Sequence, residues 1–389
     1  MPNGKKENGE KKIGVVVMNI GLLGFGTVGK GVYDITATHP DLQVTRVLCR
    51  RDLTLPDAQV THDFYDILND ESIDTVVEVL GGLHPAWDYV KAAILAGKNV
   101  VTANKALVNH FYDELIPLVE QSGVKFRCTA AVGGGIGWLT ELERVKRIDT
   151  LSKVGGIMNG TCNYILDNMT TKGLDYGVAL KQAQELGYAE ADPSADVDGP
   201  DTWNKTIISA NIAFDVSLDK TSVPVCGIRN ISAVDVAEFT KRGYVCKMIG
   251  TAEKGEHGIS AYVQPTLVPN GEPAAAVPMN YNLISMVGSN SGPRSLFGQG
   301  AGRYPTAYNV VQDCVDVLNG VGFYASYGQP VAANNDVALS YYVRGASDAW
   351  LEGNVSESWG EGVLTKPVAV AEMHAWLKQH PDAFIAAVN

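Results

Sequence analysis

Apolar residues fall in short runs broken by glycine-bearing polar turns, and the spacing inside those runs changes along the chain. The run "NIGLL" is strand-like, "GFGTVG" interrupts it, and "KGVYDI" resumes at helical spacing. Strand-like runs recur as "LQVTRVLC", "IDTVVEVLGG", "VVTAN" and "VKFRCTAAV", and "HPAWDYVKAAILAGKN" has helical spacing between two of them. Strands alternating with helices of this length imply parallel βαβ units, in which ligands sit beyond the carboxyl ends of the strands.

From about residue 138 the rhythm changes. "KVGGIMNGTCNYILDNMT" reads as a strand, a polar turn at Asn159, Gly160 and Thr161, and a helix; "LDYGVALKQAQELGYAE" is a helix ending near Gly187, and "DTWNKTIISANIAF" is another. "ISAYVQPTLVP" reads as sheet, and a helix from about Thr306 returns to pack on the first domain. Beyond residue 330, "ALSYYVRG" is a strand candidate and "AVAEMHAWLKQH" a helix candidate.

The expected fold class is α/β: a Rossmann-like dinucleotide-binding domain, then an α+β catalytic and dimerisation domain, then a short C-terminal extension. The expected boundaries are a flexible tail at 1–12, the first domain at 13–137 completed by about 303–325, the second at 138–302, and the extension at 330–389. A chain of 389 residues, 46% hydrophobic and 19% charged, is long enough for two or more cores. The formal net charge of -12 argues against nucleic acid or an anionic membrane as the main partner, because both need a basic face. The opening apolar run is too short to span a bilayer. Six scattered cysteines without a C-x-x-C pair suggest reduced thiols in a cytoplasmic protein.

The candidate chemistry begins at Gly24, Phe25, Gly26, Thr27, Val28 and Gly29, a G-x-G-x-x-G between strand and helix. Gly24 would allow the tight turn, Gly26 a close approach to a pyrophosphate, and Gly29 close helix–strand packing. Free N–H groups opening the helix would face the phosphates. About 20 residues on, Arg50 and Arg51 stand before Asp52. Guanidinium forks suit a 2′-phosphate, so the expectation leans to NADP over NAD. Lys105 follows the end of a strand that carries Thr102, beside the presumed cofactor. A second glycine cluster, Gly133 to Gly137, could turn backbone carbonyls onto a monovalent cation or simply connect two domains. Asp192, Asp196, Asp198 and Asp201 crowd the start of a helix, and Lys205 lies four residues past Asp201, on the same helical face.

The stretches "GLLGFGTVGKGV", "VVEVLGG", "VVTANKALV", "MNGTCNYIL", "LGYAEADPSADVDGPDTWNK" and "GAGRYPTA" occur in order. Together the chain resembles the homoserine dehydrogenases, in their monofunctional form without an aspartate kinase domain, from about residue 18 to 325. The resemblance implies interconversion of L-homoserine and L-aspartate 4-semialdehyde with NADP or NAD, in the biosynthesis of threonine, methionine and isoleucine. It implies that Lys205 is catalytic with Asp201 as its companion, that Lys105 lies near nicotinamide and substrate, and that Glu190, Thr161 and Asp196 bind substrate. Gly302 falls where the chain returns to the cofactor, alongside Thr102. Thr129, Val132, Gly134 and Ile136 fall where backbone carbonyls bind a sodium ion in relatives, although relatives usually carry Glu at Thr129 and Pro at Gly137. A homodimer or higher homo-oligomer is implied as well. Many relatives end in an ACT regulatory domain of βαββαβ pattern, which the tail matches only as an abbreviated or divergent version.

Oxidising an alcohol requires a base for the hydroxyl proton as hydride leaves. An ordinary lysine is mostly protonated near neutrality. Burial or a second cation such as Lys105 would lower its pKa, while Asp201 would raise it and orient the amine. Two alternatives stand beside this reading. One is another nicotinamide-dependent semialdehyde oxidoreductase working through a cysteine, with Cys162 as the thiol to examine; the other is a nucleotide-sensing protein without turnover.

Overall fold

The first strand, β1 (Met18–Leu23), lies at the centre of a six-stranded parallel sheet. The structure, a computed structural model, describes residues 17–388, so the expected tail at 1–12 lies outside the described residues. The sheet continues with β2 (Leu42–Leu48), β3 (Gln59–Thr61), β4 (Thr75–Glu78), β5 (Asn99–Thr102) and β6 (Phe126–Arg127), in the order β3-β2-β1-β4-β5-β6. This is the doubly wound, Rossmann-like order, and its direction reverses between β1 and β4, where the carboxyl ends of the strands leave a crevice. Side chains alternate across β1: Ile20 and Leu22 pack with Val32 and, from far along the chain, Ala307, Val310 and Val311. Leu23 joins Val76, Val100, Trp87 and Leu115 on the other face. The late helix Arg303–Leu318 therefore covers the first sheet, and Gly31 admits it: a Cβ there would lie 2.8 Å from that of Ala307.

The run 124–132 was expected to be a strand throughout, yet β6 stops at Arg127 and Thr129–Ala131 form a single 3-10 turn. The cause is tertiary. Thr129 donates its backbone N–H and its hydroxyl to Asp313, at 2.7 and 2.5 Å, and this pulls the chain out of register. Next to it the buried Arg127 guanidinium donates to Glu143 at 2.9 Å, to Asp316 at 2.6 Å and to the Gly322 carbonyl at 3.0 Å, and stacks 4.2 Å from the ring centroid of Tyr324. Burial pushes the Asp313 carboxyl up to about 6, even with Arg127 beside it.

The second sheet has ten strands. Its main path runs Gly292–Gln299, Tyr281–Gly288, Leu151–Ile157, Tyr244–Gly255, Gly258–Pro269, Phe384–Val388, Ala338–Arg344, Gly362–Thr365 and Val355–Trp359. The helix Pro200–Phe214 lies tightly against it: a Cβ at Gly250 would sit 2.0 Å from the Thr206 hydroxyl, so only glycine admits that approach. Of the two versions expected of the tail, abbreviated or divergent, the abbreviated one does not hold. Residues 338–388 run strand, helix, strand, strand, helix, strand, with a two-residue strand Val368–Ala369 before the last helix. The last strand lies beside the first, and the hairpin Val355–Thr365 lies on the first strand's other side. That is the complete split βαβ arrangement. The first strand and the last helix were legible in the sequence, whereas the other three strands of the unit are only four or five residues long and gave no separate signal. Among the described residues no helix is long and apolar enough to cross a membrane.

Replacing Arg127 by Met would leave Asp313, Asp316 and Glu143 crowded without a cation. Urea unfolding at neutral pH is expected to show a loss of about 3–5 kcal/mol. A loss below about 1 kcal/mol would mean that the knot does not hold the chain's return.

Candidate active site

A cleft of about 630 Å³ opens between the carboxyl ends of the first sheet and the start of helix Pro200–Phe214. Val28, Leu80, Gly81, Lys105, Gly134 and Gly302 line one side, and Asn159, Thr161, Tyr188, Asp196, Asp201 and Lys205 the other. The helix begins at Pro200 after Gly199, whose φ of 101° is the left-handed turn that aims its first turn at the cleft. Asp201 and Lys205 follow one turn apart on that face.

Asp201 is the hub. Its Oδ2 accepts from Lys205 Nζ at 2.8 Å and from Asn159 Nδ2 at 2.8 Å, and its Oδ1 lies 3.0 Å from Lys105 Nζ. Lys205 Nζ also donates to the Met158 carbonyl at 2.7 Å. Burial opposes the ionised form of Asp201, but the two lysines and Asn159 prevail and hold its carboxyl well below the usual range. The lysines diverge. Burial lowers Lys205, Asp201 pulls it back up, and the nearby Lys105 pushes it down again, for a net downward shift. The Asp201 charge raises Lys105 in spite of burial. The Lys105 side chain is 38% exposed and that of Lys205 9%, so water stabilises the first cation and not the second.

Lys105 is the first residue of helix Lys105–His110, which follows β5 and is capped by Asn104, whose Oδ1 accepts from Leu107 N at 3.1 Å. Asp196 sits on the cleft wall, its pKa raised chiefly by burial. Asn159 Nδ2 holds it at 2.7 Å and so spans Asp196 and Asp201 with one amide. The Thr161 hydroxyl donates to the Tyr188 carbonyl at 2.7 Å, which leaves only its oxygen lone pairs for anything in the cleft. Glu190 stands apart: its side chain is exposed and does not line the cleft.

On the cofactor side, Gly24 has φ 103°, and a Cβ there would lie 3.0 Å from the Val79 carbonyl. Gly29 packs on Gly24, where a Cβ would meet the Gly24 carbonyl at 2.1 Å, and over Gly26 there is open space. Helix Thr27–Thr36 starts after Phe25 and Gly26 with no side-chain cap and no acidic residue in its first turn, so its N–H groups are free for an anion. These features fit a dinucleotide. Beyond β2, Arg50 and Arg51 are exposed; Arg51 Nη2 donates to the Phe25 carbonyl at 2.8 Å, and Asp52 is drawn to His62 at 3.0 Å. Thr102 is buried below the cleft.

Of the four positions expected to hold sodium, the Thr129 carbonyl accepts from Val132 N at 3.3 Å and the Gly134 carbonyl from Asn309 Nδ2 at 2.6 Å, while Ile136 N donates to the Gly133 carbonyl at 2.8 Å. Each engaged carbonyl keeps a second lone pair. Among the described residues no group of three or more His, Cys, Asp and Glu is arranged to hold a metal. Cys162 is buried; its thiol donates to the Asp196 carbonyl at 3.2 Å, and burial holds its pKa well above the ordinary value.

Sequence reasoning gave no role to Asn159, Asn104 or the Met158 carbonyl. Asn159 carried a signal all the same: it is the N-cap of helix Gly160–Lys172, accepting from Cys162 N at 2.7 Å, and the polar turn marked that start.

Comparison with known proteins places these features in context. Residues 24–129 match the family described as "Homoserine dehydrogenase, NAD binding domain" and residues 138–315 that described as "Homoserine dehydrogenase". The homoserine dehydrogenase of Bacillus subtilis is 38% identical over 315 residues, 77% of this chain and 73% of the relative. That of Corynebacterium glutamicum is 39% identical over 316 residues, 77% and 71%. The crystal structure of a homoserine dehydrogenase from Thiobacillus denitrificans superposes with a TM-score of 0.85 at 30% identity, covering 96% of this chain and 98% of the other. A hyperthermophilic archaeal homoserine dehydrogenase in complex with NADPH has a TM-score of 0.69 at 22% identity, over 79% of this chain and 100% of the other, a likeness of fold.

Exchanging Asp201 for Asn would leave two ammonium groups sharing no counter-ion. A loss of about 3 kcal/mol in urea unfolding at pH 7 is expected, shrinking toward pH 10 as Lys205 gives up its proton. A loss that is the same at both pH values would show that the carboxylate does not serve to hold a charged Lys205.

Proposed function

The chain belongs to the homoserine dehydrogenase family, and from that premise we propose that it interconverts L-homoserine and L-aspartate 4-semialdehyde, with Lys205 moving the hydroxyl proton. The observation that carries the proposal is the buried Lys205 amine, held at 2.8 Å by Asp201 and 2.7 Å by the Met158 carbonyl in the cleft that the glycine turn also faces. NADP or NAD, held by the turn Gly24 to Gly29 and by Gly302, supplies the hydride acceptor or donor, with the buried Thr102 beneath the site rather than in contact with it.

In oxidation, neutral Lys205 accepts the hydroxyl proton as charge develops on oxygen. The ammonium so formed gains the Asp201 carboxylate, which is already ionised and oriented. Lys105, kept charged by Asp201, stands where it can stabilise developing negative charge on the substrate oxygen. In reduction the same ammonium donates to the aldehyde oxygen. Asp196 and the acceptor-only oxygen of Thr161 suit the substrate's ammonium group, and bringing a cation there would offset the burial that disfavours ionised Asp196.

The cofactor preference in this reading is NADP. Asp52, the acidic residue that would choose a ribose hydroxyl, is held by His62, while Arg50 and Arg51 are exposed just beyond β2, with Arg51 donating to the Phe25 carbonyl beside the glycine turn. A sodium ion on the carbonyls of Thr129, Val132, Gly134 and Ile136, a homodimer and a cytoplasmic location complete the proposal. The cysteine-based alternative finds no support at Cys162, whose thiol is buried and held protonated.

Following absorbance of the reduced cofactor with L-homoserine tests the reading. Homoserine-dependent reduction is expected, faster with NADP than with NAD. Lys205→Ala should lower kcat by at least about a hundredfold while leaving NADPH affinity within a few fold. Turnover near that of the native chain in the Ala variant would remove Lys205 from the chemistry.

A further inference from the structure

Glu78 ends β4 with its side chain fully out of solvent, and no step of the proton and hydride transfer uses it. A buried carboxylate is costly unless its oxygens are satisfied, and these are. Oε1 accepts from the backbone N–H groups of Leu80 at 2.7 Å and Gly81 at 3.2 Å, and Oε2 from the Thr102 hydroxyl at 2.5 Å. Leu80 and Gly81 line the cleft on its dinucleotide side, on the loop whose Val79 carbonyl packs against Gly24. Thr102 closes β5, three residues before Lys105.

The hydrogen bonds have a direction. Asn104 N–H donates to Thr102 Oγ1 at 3.0 Å, so the proton of that hydroxyl points to Glu78 and the carboxylate must accept it. Asn104 then caps the helix that begins at Lys105, and its Nδ2 donates to the Gly82 carbonyl at 2.7 Å, closing the loop 79–82 from its far end. Two strand ends that face the cofactor are thus joined twice, once through Glu78 and once through Asn104. We propose that Glu78 is a positioning residue that sets the dinucleotide-facing loop 79–82 and Lys105 as one unit. A dinucleotide that seats on the loop thereby meets Lys105 already aligned. The inference rests on reading the cleft as a dinucleotide and homoserine site.

Glutamine cannot replace this carboxylate. With its amide one way round, two N–H groups of the loop face an NH2; the other way round, the Thr102 proton has no acceptor. Glu78→Gln is expected to weaken NADPH binding, read by isothermal titration, at least tenfold, while KM for homoserine moves less than threefold. Thr102→Val cuts only the arm toward Lys105; it should lower kcat about tenfold and change NADPH affinity less than threefold. Thermal melting of each variant is read alongside. The proposal is overturned if both variants match the native chain within twofold. It is also overturned if in Thr102→Val cofactor affinity and kcat fall and KM rises together with a collapse of the melting temperature, because that is a general structural role. Thr102→Val keeps the test decisive should Glu78→Gln not fold. If the native chain binds NADPH but does not oxidise homoserine, the functional reading is what fails, and the titration arm still reads Glu78.

Discussion

One carboxylate, Asp201, holds two lysines that arrive from different sheets, and the geometry of the cleft depends on that sharing. Lys105 comes from the end of β5, Lys205 from the helix laid on the second sheet, and each is bound to a different oxygen of Asp201. The pair is unequal. The exposed lysine keeps its hydration and its proton; the buried one loses hydration and faces a like charge, so it is the amine that gives up its proton more readily. A lone buried lysine would have no orientation, and a lone ion pair would hold its proton too firmly. The triad gives a base that is held in place and still able to exchange.

The rest of the molecule keeps those two strand ends in register. Helix Arg303–Leu318 returns to cover the first sheet, and the buried Arg127 ties β6 to the end of that helix and to the loop beyond it through Asp316 and the Gly322 carbonyl. On the other side, Asn230 Nδ2 donates to the Pro381 and Ala383 carbonyls at 2.9 and 3.2 Å, and Arg344 Nε reaches Asp235 at 2.6 Å, so the C-terminal βαββαβ unit, already paired into the second sheet, is also fastened to helix Ala233–Lys241 and the loop before it. Arg229 pairs with Asp198 at 2.8 Å, inside the acidic segment that leads to Asp201.

Much of this was readable in the sequence because it is local. The glycine turn, the alternation of strand and helix, and Asp201 four residues before Lys205 are written in neighbouring positions, so the doubly wound sheet and the lysine–aspartate pair follow from spacing. What stayed hidden depends on contacts between distant residues. No spacing rule links Asn159 to both Asp196 and Asp201, or Glu78 to Thr102, 24 positions away. The strand expected over 124–132 ended early for the same reason: Asp313, 184 residues on, captures Thr129. Glu190 was assigned by resemblance, and the fold leaves its side chain exposed and outside the cleft lining.

The most direct measurement is the pH dependence of kcat/KM for homoserine oxidation, in the native chain and in Lys105→Met. Activity should rise as one group loses its proton, with a midpoint clearly below the roughly 10.4 of an ordinary lysine. Removing Lys105 should move that midpoint upward, because the like charge that favours deprotonation of Lys205 is gone. A native midpoint at the ordinary lysine value, or one that stays put in Lys105→Met, would contradict the shared-carboxylate account.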